Sequence, residues 1–269
     1  MTRPGWAQSL EWLTTSTPGF VGYWLILMTI AAVELNFPGA AQRTASSARI
    51  KTNLILGLIM AAIYSLPMLS EFAFASWVNA RGWGLLNALG LALWVEVAAS
   101  FVLYDLLAYA VHRASHVWPP LWRLHRVHHA DADIDLSTFF RVHPVAIPVN
   151  LGLHLVALVA LGLHPLGILL HAAVNLVTMG LGHAHVRAFP RLSRFCALFV
   201  VTPEFHRRHH SAWQPETDSN YGEVLTIWDR LLGSMATSNG QVVRIGLGDD
   251  YDHDAASLLG QLKLPFIRR

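Results

Sequence analysis

The sequence predicts an all-α integral membrane helical bundle, with about four to five hydrophobic spans and a cytoplasmic helical cap that carries histidine boxes. Three observations carry that expectation. Of 269 residues, 54% are hydrophobic and 13% charged, with a mean hydropathy of +0.40, whereas soluble domains carry about 25% charged residues. Apolar runs approaching the ~20 residues that cross a bilayer core as a helix recur along the chain. Fifteen histidines are present, and ten of them fall in four tight groups at or beyond the ends of such runs.

The candidate spans, in order, are about 20–38, 52–70, 84–108, 144–162 and 164–182. Residues 1–19 hold one basic residue, Arg3, and the acid Glu11. That is a poor start for a removable signal, although "PGAAQ" offers small residues for cleavage, so the first run is read as a retained span. Glu34 and Glu96 lie in or near spans, where an isolated charge costs several kcal/mol by some estimates, and both are expected to face protein or the interface. The stretch 192–202 is too short to cross. No polar linker divides the chain, which reads as N-terminal membrane spans over 1–83 and a histidine-bearing region over 84–269, integrated in one domain.

Sidedness follows from arginine and lysine. The loop 39–51 carries Arg43, Arg49 and Lys51; the loop 71–83 has only Arg81, and the turn 162–164 has neither residue type. The positive-inside rule makes 39–51 cytoplasmic. Counting spans forward puts 109–143 and everything after 183 on the same side, with Arg113, Arg123, Arg126, Arg141, Arg187, Arg191, Arg194, Arg207 and Arg208. The pair 144–162 and 164–182, joined by a tight "HP", could be a hairpin that does not cross fully; either version returns residue 183 to the cytoplasmic face.

Composition also excludes classes. A net charge of +2 is too small to indicate nucleic-acid binding, and the single cysteine, Cys196, rules out an internal disulfide and a cysteine-based metal or iron–sulfur site.

Residues three and four apart share a helix face. His112 and His116 are so related, with Asp105 two turns earlier on the same stripe. That helix should stop near Trp118, because Pro119 and Pro120 follow. Proline then starts "LWRLHRVHH", where His125, His128 and His129 project as i, i+3 and i+4. In "TPEFHRRHHS", Thr202 is a good N-cap and Pro203 suits the first helical position, so His206, His209 and His210 share a face one turn in. Imidazole suits Zn, Cu, Fe and Ni. Eight histidines at one face exceed what one tetrahedral zinc can use, and two adjacent metals are the simplest consumer.

His183, ending a span on the same side, is expected as a further ligand. His185 is carried as a candidate although it cannot share the helical face of His183. Asp105 is a candidate for orienting a ligating histidine through the ring nitrogen that does not bind metal, or for pairing with an arginine. His143 and Asn220 are candidates for the same surrounding layer. His154, His164 and His171 are expected to be buried, hydrogen-bonded or interfacial; His253, in "DDYDHD", and Asp131, Asp133 and Asp135, in "DADID", to face solvent. No Glu-x-x-His pair of the kind found in soluble di-iron bundles occurs.

The segments "DLLAYAVHRASH", "LWRLHRVHH", "GHAHVR" and "VTPEFHRRHHS", followed by "ETDSNYGEVLTIWDRLLGS" and a later "SLLGQLKLPF", resemble the fatty acid hydroxylase/sterol desaturase superfamily, in its short bacterial-type branch. The resemblance covers roughly 100–269. Two departures stand out: "HPVAI" lacks the acid that relatives often carry after "HP", and His185 stands where relatives have Asn or Glu. The resemblance implies a non-haem di-iron centre, two iron ions held by His112, His116, His125, His128, His129, His183, His206, His209 and His210. It implies an O2-dependent enzyme that hydroxylates or desaturates an unactivated C–H of a fatty acyl, sterol- or hopanoid-like, or ether lipid. It also implies a bacterial inner-membrane location and a separate electron donor, a ferredoxin or a cytochrome with its reductase. Arg126, Arg207 and Arg208 could steer that donor, or reflect positive-inside topology and lipid head-group contact. Rival readings fit less well. A membrane zinc hydrolase would want H-E-x-x-H, a metal-binding or transport protein would want polar ligands at mid-membrane, and a haem carrier would leave the boxes unexplained.

Overall fold

In the computed structural model, residues 17–39, 46–66, 70–186, 189–237, 242, 244–248 and 256–267 are described. Arg43, Arg187 and His253 lie outside them, as does the segment before residue 17. The described residues are helical, with three isolated bridges and no strand among them.

The chain runs from α1 (Thr17–Asn36) through α2 (Ser47–Tyr64), α3 (Glu71–Asn79) and α4 (Leu85–Leu89) into α5 (Leu93–Val117) and α6 (Pro119–His129). A 3-10 turn (Leu136–Phe140) leads to α7 (Ala146–Leu161) and α8 (Pro165–His183). Short helices follow: α9 (Pro190–Cys196), α10 (Pro203–His209), α11 (Gln214–Thr217), α12 (Ile227–Leu231), and α13 (Leu258–Lys263) with a closing 3-10 turn (Leu264–Phe266). Three helices, α2, α5 and α8, are long and apolar enough to cross a membrane, against the five runs expected. The apolar parts of α1 (Val21–Asn36) and α7 are shorter. Sixteen residues in α7 rise about 24 Å, less than the ~30 Å hydrocarbon core.

Local chemistry sets the boundaries. Trp118 is the C-cap of α5, and Pro119 opens α6 at once, as the proline pair predicts. The expected loop over 71–83 instead contains α3, started by the Ser70 side chain accepting from the Ala73 amide. At the α4–α7 contact, Gly84 (φ 92°) and Gly162 (φ 64°) cross backbone to backbone. A Cβ on Gly84 would lie 2.2 Å from the Gly162 nitrogen, so both positions need glycine.

Around that crossing Ala75, Leu86, Tyr104, Leu158, Leu163 and Ile168 form the largest buried apolar cluster. Several polar groups inside the bundle are paired. Glu71 accepts from Tyr104 Oη and lies 2.9 Å from His154 Nδ1, and the Ser100 hydroxyl accepts from the His164 amide at 2.7 Å. Glu34 is buried and accepts from the Leu136 amide, as a charge in a span requires.

The expectation for "DADID" is corrected. Asp131, Asp133 and Asp135 are buried, not solvated. Buried Arg49, on α2, reaches Asp131 Oδ2 at 2.9 Å and also pairs with Asp135. Asn53 Nδ2 donates to Asp131 Oδ2 at 2.8 Å, and the fully buried Arg141 donates to Asn53 Oδ1 and to the Val127 carbonyl, both at 2.8 Å. The N-terminal helices are thereby bound to the segment that follows the second histidine group.

Candidate metal centre

The C-terminal ends of α5 and α8 bring His112, His116 and His183 to the helices α6 and α10. Thr202 caps α10 through its side chain, accepting from the Phe205 amide, with Pro203 at the first turn, as the sequence predicts. Nine histidines converge in two groups. His112, His116, His125, His129 and His209 form one; His128, His183, His206 and His210 form the other. Within each group one nitrogen per ring lies within 4.8 Å of all the others.

The division has a helical logic. One residue is 100° of helix, so i and i+4 differ by about 40° and i+3 points to the other side of i. On α6, His125 and His129 (i, i+4) enter the first group and His128 (i+3) the second. On α10 the assignment reverses: His206 and His210 enter the second group and His209 the first. The two short helices therefore each serve both groups. The groups touch where the His129 and His210 rings stack, with centroids 4.5 Å apart and planes 20° from parallel.

Four rings have their tautomer fixed by carbonyls, which only accept. Nδ1 donates from His112 to Tyr221 O (2.8 Å), from His128 to Arg141 O (3.2 Å), from His183 to Met179 O (2.7 Å) and from His209 to Ser219 O (2.8 Å). Each then presents Nε2 as a lone pair. In the second group the Nε2 atoms follow one another: His128 to His183 at 3.1 Å, His183 to His206 at 3.0 Å, His206 to His210 at 3.1 Å. In the first group His125 and His129 bring Nε2 within 3.2 Å, while both ring nitrogens of His116 and Nε2 of His209 are buried without a hydrogen-bond partner. Enclosure, reinforced by neighbouring imidazoles, pushes the pKa of His125, His128, His129, His206, His209 and His210 well below the ordinary histidine value. Between His128 and His183 two neutral lone pairs meet at 3.1 Å and repel unless a cation lies between them. The donor set fits a pair of borderline metal ions, and five rings in one group exceed a closed tetrahedral zinc site.

His185 does not join either group. It is buried against Gly39 with Nδ1 at 3.2 Å from Arg207 Nη1, because the α8 helix ends at His183 and the chain turns away. Asp105 orients a different histidine from those expected. It receives His171 Nε2 at 2.9 Å, Trp228 Nε1 at 2.8 Å and the Leu225 amide at 3.2 Å. His143 sits near the C-terminal segment, with Nε2 3.3 Å from the Leu262 carbonyl, away from both groups. Asn220 supports the centre at one remove. Its left-handed backbone (φ 56°) precedes Tyr221, and its Nδ2 donates to Phe205 O in α10 at 3.0 Å. Sequence reasoning missed the carbonyls of Met179, Ser219, Tyr221 and Arg141; a backbone acceptor leaves no side-chain signature to find.

The three arginines named for steering a donor have partners within the fold. Arg126 is buried and donates to the Leu264 and Ile267 carbonyls, Arg208 pairs with Glu216 at 2.5 Å, and Arg207 faces His185.

Long apolar helices that end in nine clustered imidazoles define the class: a helical membrane protein with a polyhistidine site. The profile of the fatty acid hydroxylase family, described as "Fatty acid hydroxylase", matches residues 97–234, just over half of the chain. The chain belongs to that family. It is 31% identical over 175 residues to the ornithine lipid hydroxylase OlsE of Rhizobium tropici, a match covering 65% of this chain and 51% of that protein. It is 30% identical over 145 residues to human alkylglycerol monooxygenase (54% and 32% covered) and 29% identical over 238 residues to that of Danio rerio (87% and 50%). The chain spans about half or less of the length of these relatives. No solved structure matches it.

Proposed function

We propose that this chain is a membrane-bound non-haem di-iron oxygenase that hydroxylates, or by the same chemistry desaturates, an unactivated C–H of a lipid. The observation that carries the reading is the pair of facing imidazole groups, in which His128 and His183 bring Nε2 atoms to 3.1 Å although both Nδ1 protons are given to backbone carbonyls. The ligands proposed are His112, His116, His125, His129 and His209 for one ion and His128, His183, His206 and His210 for the other. The relatives hydroxylate ornithine lipid or oxygenate alkylglycerols by their names, which supports a lipid substrate here.

When bound, two irons supply the reductive activation of O2 that imidazoles alone cannot. In hydroxylation one oxygen atom enters the C–H bond and the other leaves as water; in desaturation two hydrogens leave the substrate and both oxygen atoms leave as water; either consumes two electrons and two protons. The chain's own contribution is geometric. The carbonyls of Tyr221, Arg141, Met179 and Ser219 hold four rings in register by fixing their Nδ1 protons. Buried Met179, Val201 and Phe205, with Phe139 against His183, form an apolar wall beside the second group that limits water access. Cys196, as the single cysteine among these 269 residues, cannot hold an iron–sulfur cluster, and the donor proposed is a separate ferredoxin or a cytochrome with its reductase. In this reading the centre lies at one membrane face, where α5 and α8 end, and the distribution of arginines supports the cytoplasmic side.

Metal analysis and Mössbauer spectra of detergent-purified protein test the reading. Two irons per chain in a coupled cluster, lost on His209→Ala/His210→Ala, are expected. One tight zinc and no iron in a folded protein would replace the oxygenase with a zinc hydrolase.

A further inference from the structure

A half-open cavity of about 370 Å³ lies outside the histidine groups, with His116 among its lining residues. Its other walls come from α6, α11 and the segment after the closing 3-10 turn, through Trp122, Arg123, Gln214, Asp218 and Ile267. Trp122 stands between cavity and centre, with ring centroids 5.1 Å from His116 and 5.6 Å from His129. The cavity therefore reaches the first group of rings, whereas the apolar cluster of Met179, Val201 and Phe205 packs with Phe139 beside His183 of the second.

Its charges are of both signs. Arg123 is exposed and finds no hydrogen-bonding or ionic partner among the described residues. Asp218 is partly exposed, with Oδ2 accepting from Gln214 Nε2 at 3.1 Å and Oδ1 at 3.5 Å from His116 Nδ1. An uncommitted guanidinium and a carboxylate in one concavity complement a ligand that carries an anion and an ammonium together. The rim is apolar: Ile267 lines the cavity and is exposed, and Trp118 and Phe266, next in the chain to lining residues Pro119 and Ile267, are exposed as well. Exposed aromatic residues at the end of a spanning helix mark the membrane–water interface. A charged concavity with an apolar rim at that level matches an amphiphile, with its head inside and its chain directed to the bilayer.

We propose that this cavity receives the zwitterionic head group of a lipid, the anion on Arg123 and the ammonium on Asp218, so that head-group binding fixes which carbon comes to the histidine groups. This deepens, and rests on, the lipid-hydroxylating reading of the site.

The test reads lipid retention, which needs neither iron nor O2. Full-length protein in maltoside detergent is offered phosphatidylethanolamine, phosphatidylglycerol and diacylglycerol at equal concentration, and bound lipid is counted by native mass spectrometry. Phosphatidylethanolamine should be retained over both others. Arg123→Gln should lower retention of the ethanolamine and glycerol phospholipids about tenfold, the scale of one charge-assisted contact. Asp218→Asn should bring the ethanolamine lipid down to the glycerol lipid. Soluble glycerophosphoethanolamine should compete only in large excess. Equal retention of the three lipids, or a pattern unchanged in both variants, overturns the proposal. So does full displacement by the soluble head group at equal concentration, which would mean a soluble ligand. Unchanged retention in Arg123→Gln with a weakened dependence of turnover on electron-donor concentration also overturns it, assigning the arginine to donor docking. Head-group selectivity in a protein without bound iron would count against the oxygenase reading alone.

Discussion

His128 and His183 bring their Nε2 atoms to 3.1 Å although each ring already donates its Nδ1 proton to a backbone carbonyl. Two neutral imidazoles so arranged have no hydrogen to place between them. A metal ion resolves the conflict, and its removal should be costly. Stripping the protein with a chelator is expected to lower its melting temperature, and re-adding ferrous iron to restore it. A ligand at 100 times its dissociation constant stabilises by about 2.7 kcal/mol. A melting temperature indifferent to chelation would argue against a resident ion.

Replacing one of this pair isolates the second group. His183→Ala should reduce bound iron from two toward one per chain and lower turnover by at least about a hundredfold, the upper end seen when metal sites lose supporting interactions. Because His183 sits outside the five-ring group, that ion should persist. Iron counting on the purified variant decides it; loss of both irons would mean that the groups bind as one unit.

The metal-free protein should be acid-sensitive. His125, His128, His129, His206, His209 and His210 have pKa values well below the ordinary histidine value in the fold, because enclosure disfavours their charged forms. In the unfolded chain they titrate near ~6.5. The unfolded state therefore binds more protons below that pH, and folding stability is fully present above it and lost as pH falls. Thermal melts of chelated protein from pH 8 to 5.5 should descend below about 6.5. A flat profile would contradict the burial of these rings.

Arg49 is the cation for a buried acidic loop. Arg49→Met removes the guanidinium that pairs with both Asp131 and Asp135 and leaves Arg141, 4.0 Å from Asp131, as the nearby cation, and breaking a buried pair on one side costs about 3–5 kcal/mol. Poor yield and a depressed melting temperature are expected. Arg49→Met combined with Asp135→Asn should recover part of the loss, which the single melts and the double melt together would show.

Asp105 holds His171, Trp228 and the Leu225 amide, and none of the nine clustered rings. Asp105→Ala should therefore destabilise the protein by about 1–3 kcal/mol per orphaned buried donor while iron content stays at the parent level. Lost iron with an unchanged melting temperature would return Asp105 to the role the sequence alone assigned it.

Much of the centre was legible because helix geometry is local. Pro119 and the Thr202–Pro203 pair announced the helix starts, and i, i+3, i+4 spacing announced the shared faces. What was hidden depends on contacts between distant segments. Nothing in "HRVHH" says that His128 leaves His125 and His129 to join His183; that follows from where α8 ends. "DADID" reads as solvated until an arginine 82 residues earlier is found against Asp131. Asp105 shares a stripe with His112, yet α8 presents His171 to it first. His185, two residues past a clustered ring, is carried off because α8 stops.

The clamp of Arg49 and Asn53 on Asp131 bears on how such a chain can be cut and rejoined. The stretch recognised as the family's own begins at residue 97, yet the cation that its acidic loop requires lies 48 positions upstream of that start, in a helix whose sequence is otherwise generic. A chimera that transplants only the histidine-bearing segment onto foreign membrane helices would keep Arg141 but face three buried carboxylates with one guanidinium fewer, unless the host happened to offer an arginine at the same depth. The second helix then carries a counter-charge against which the recognisable half closes.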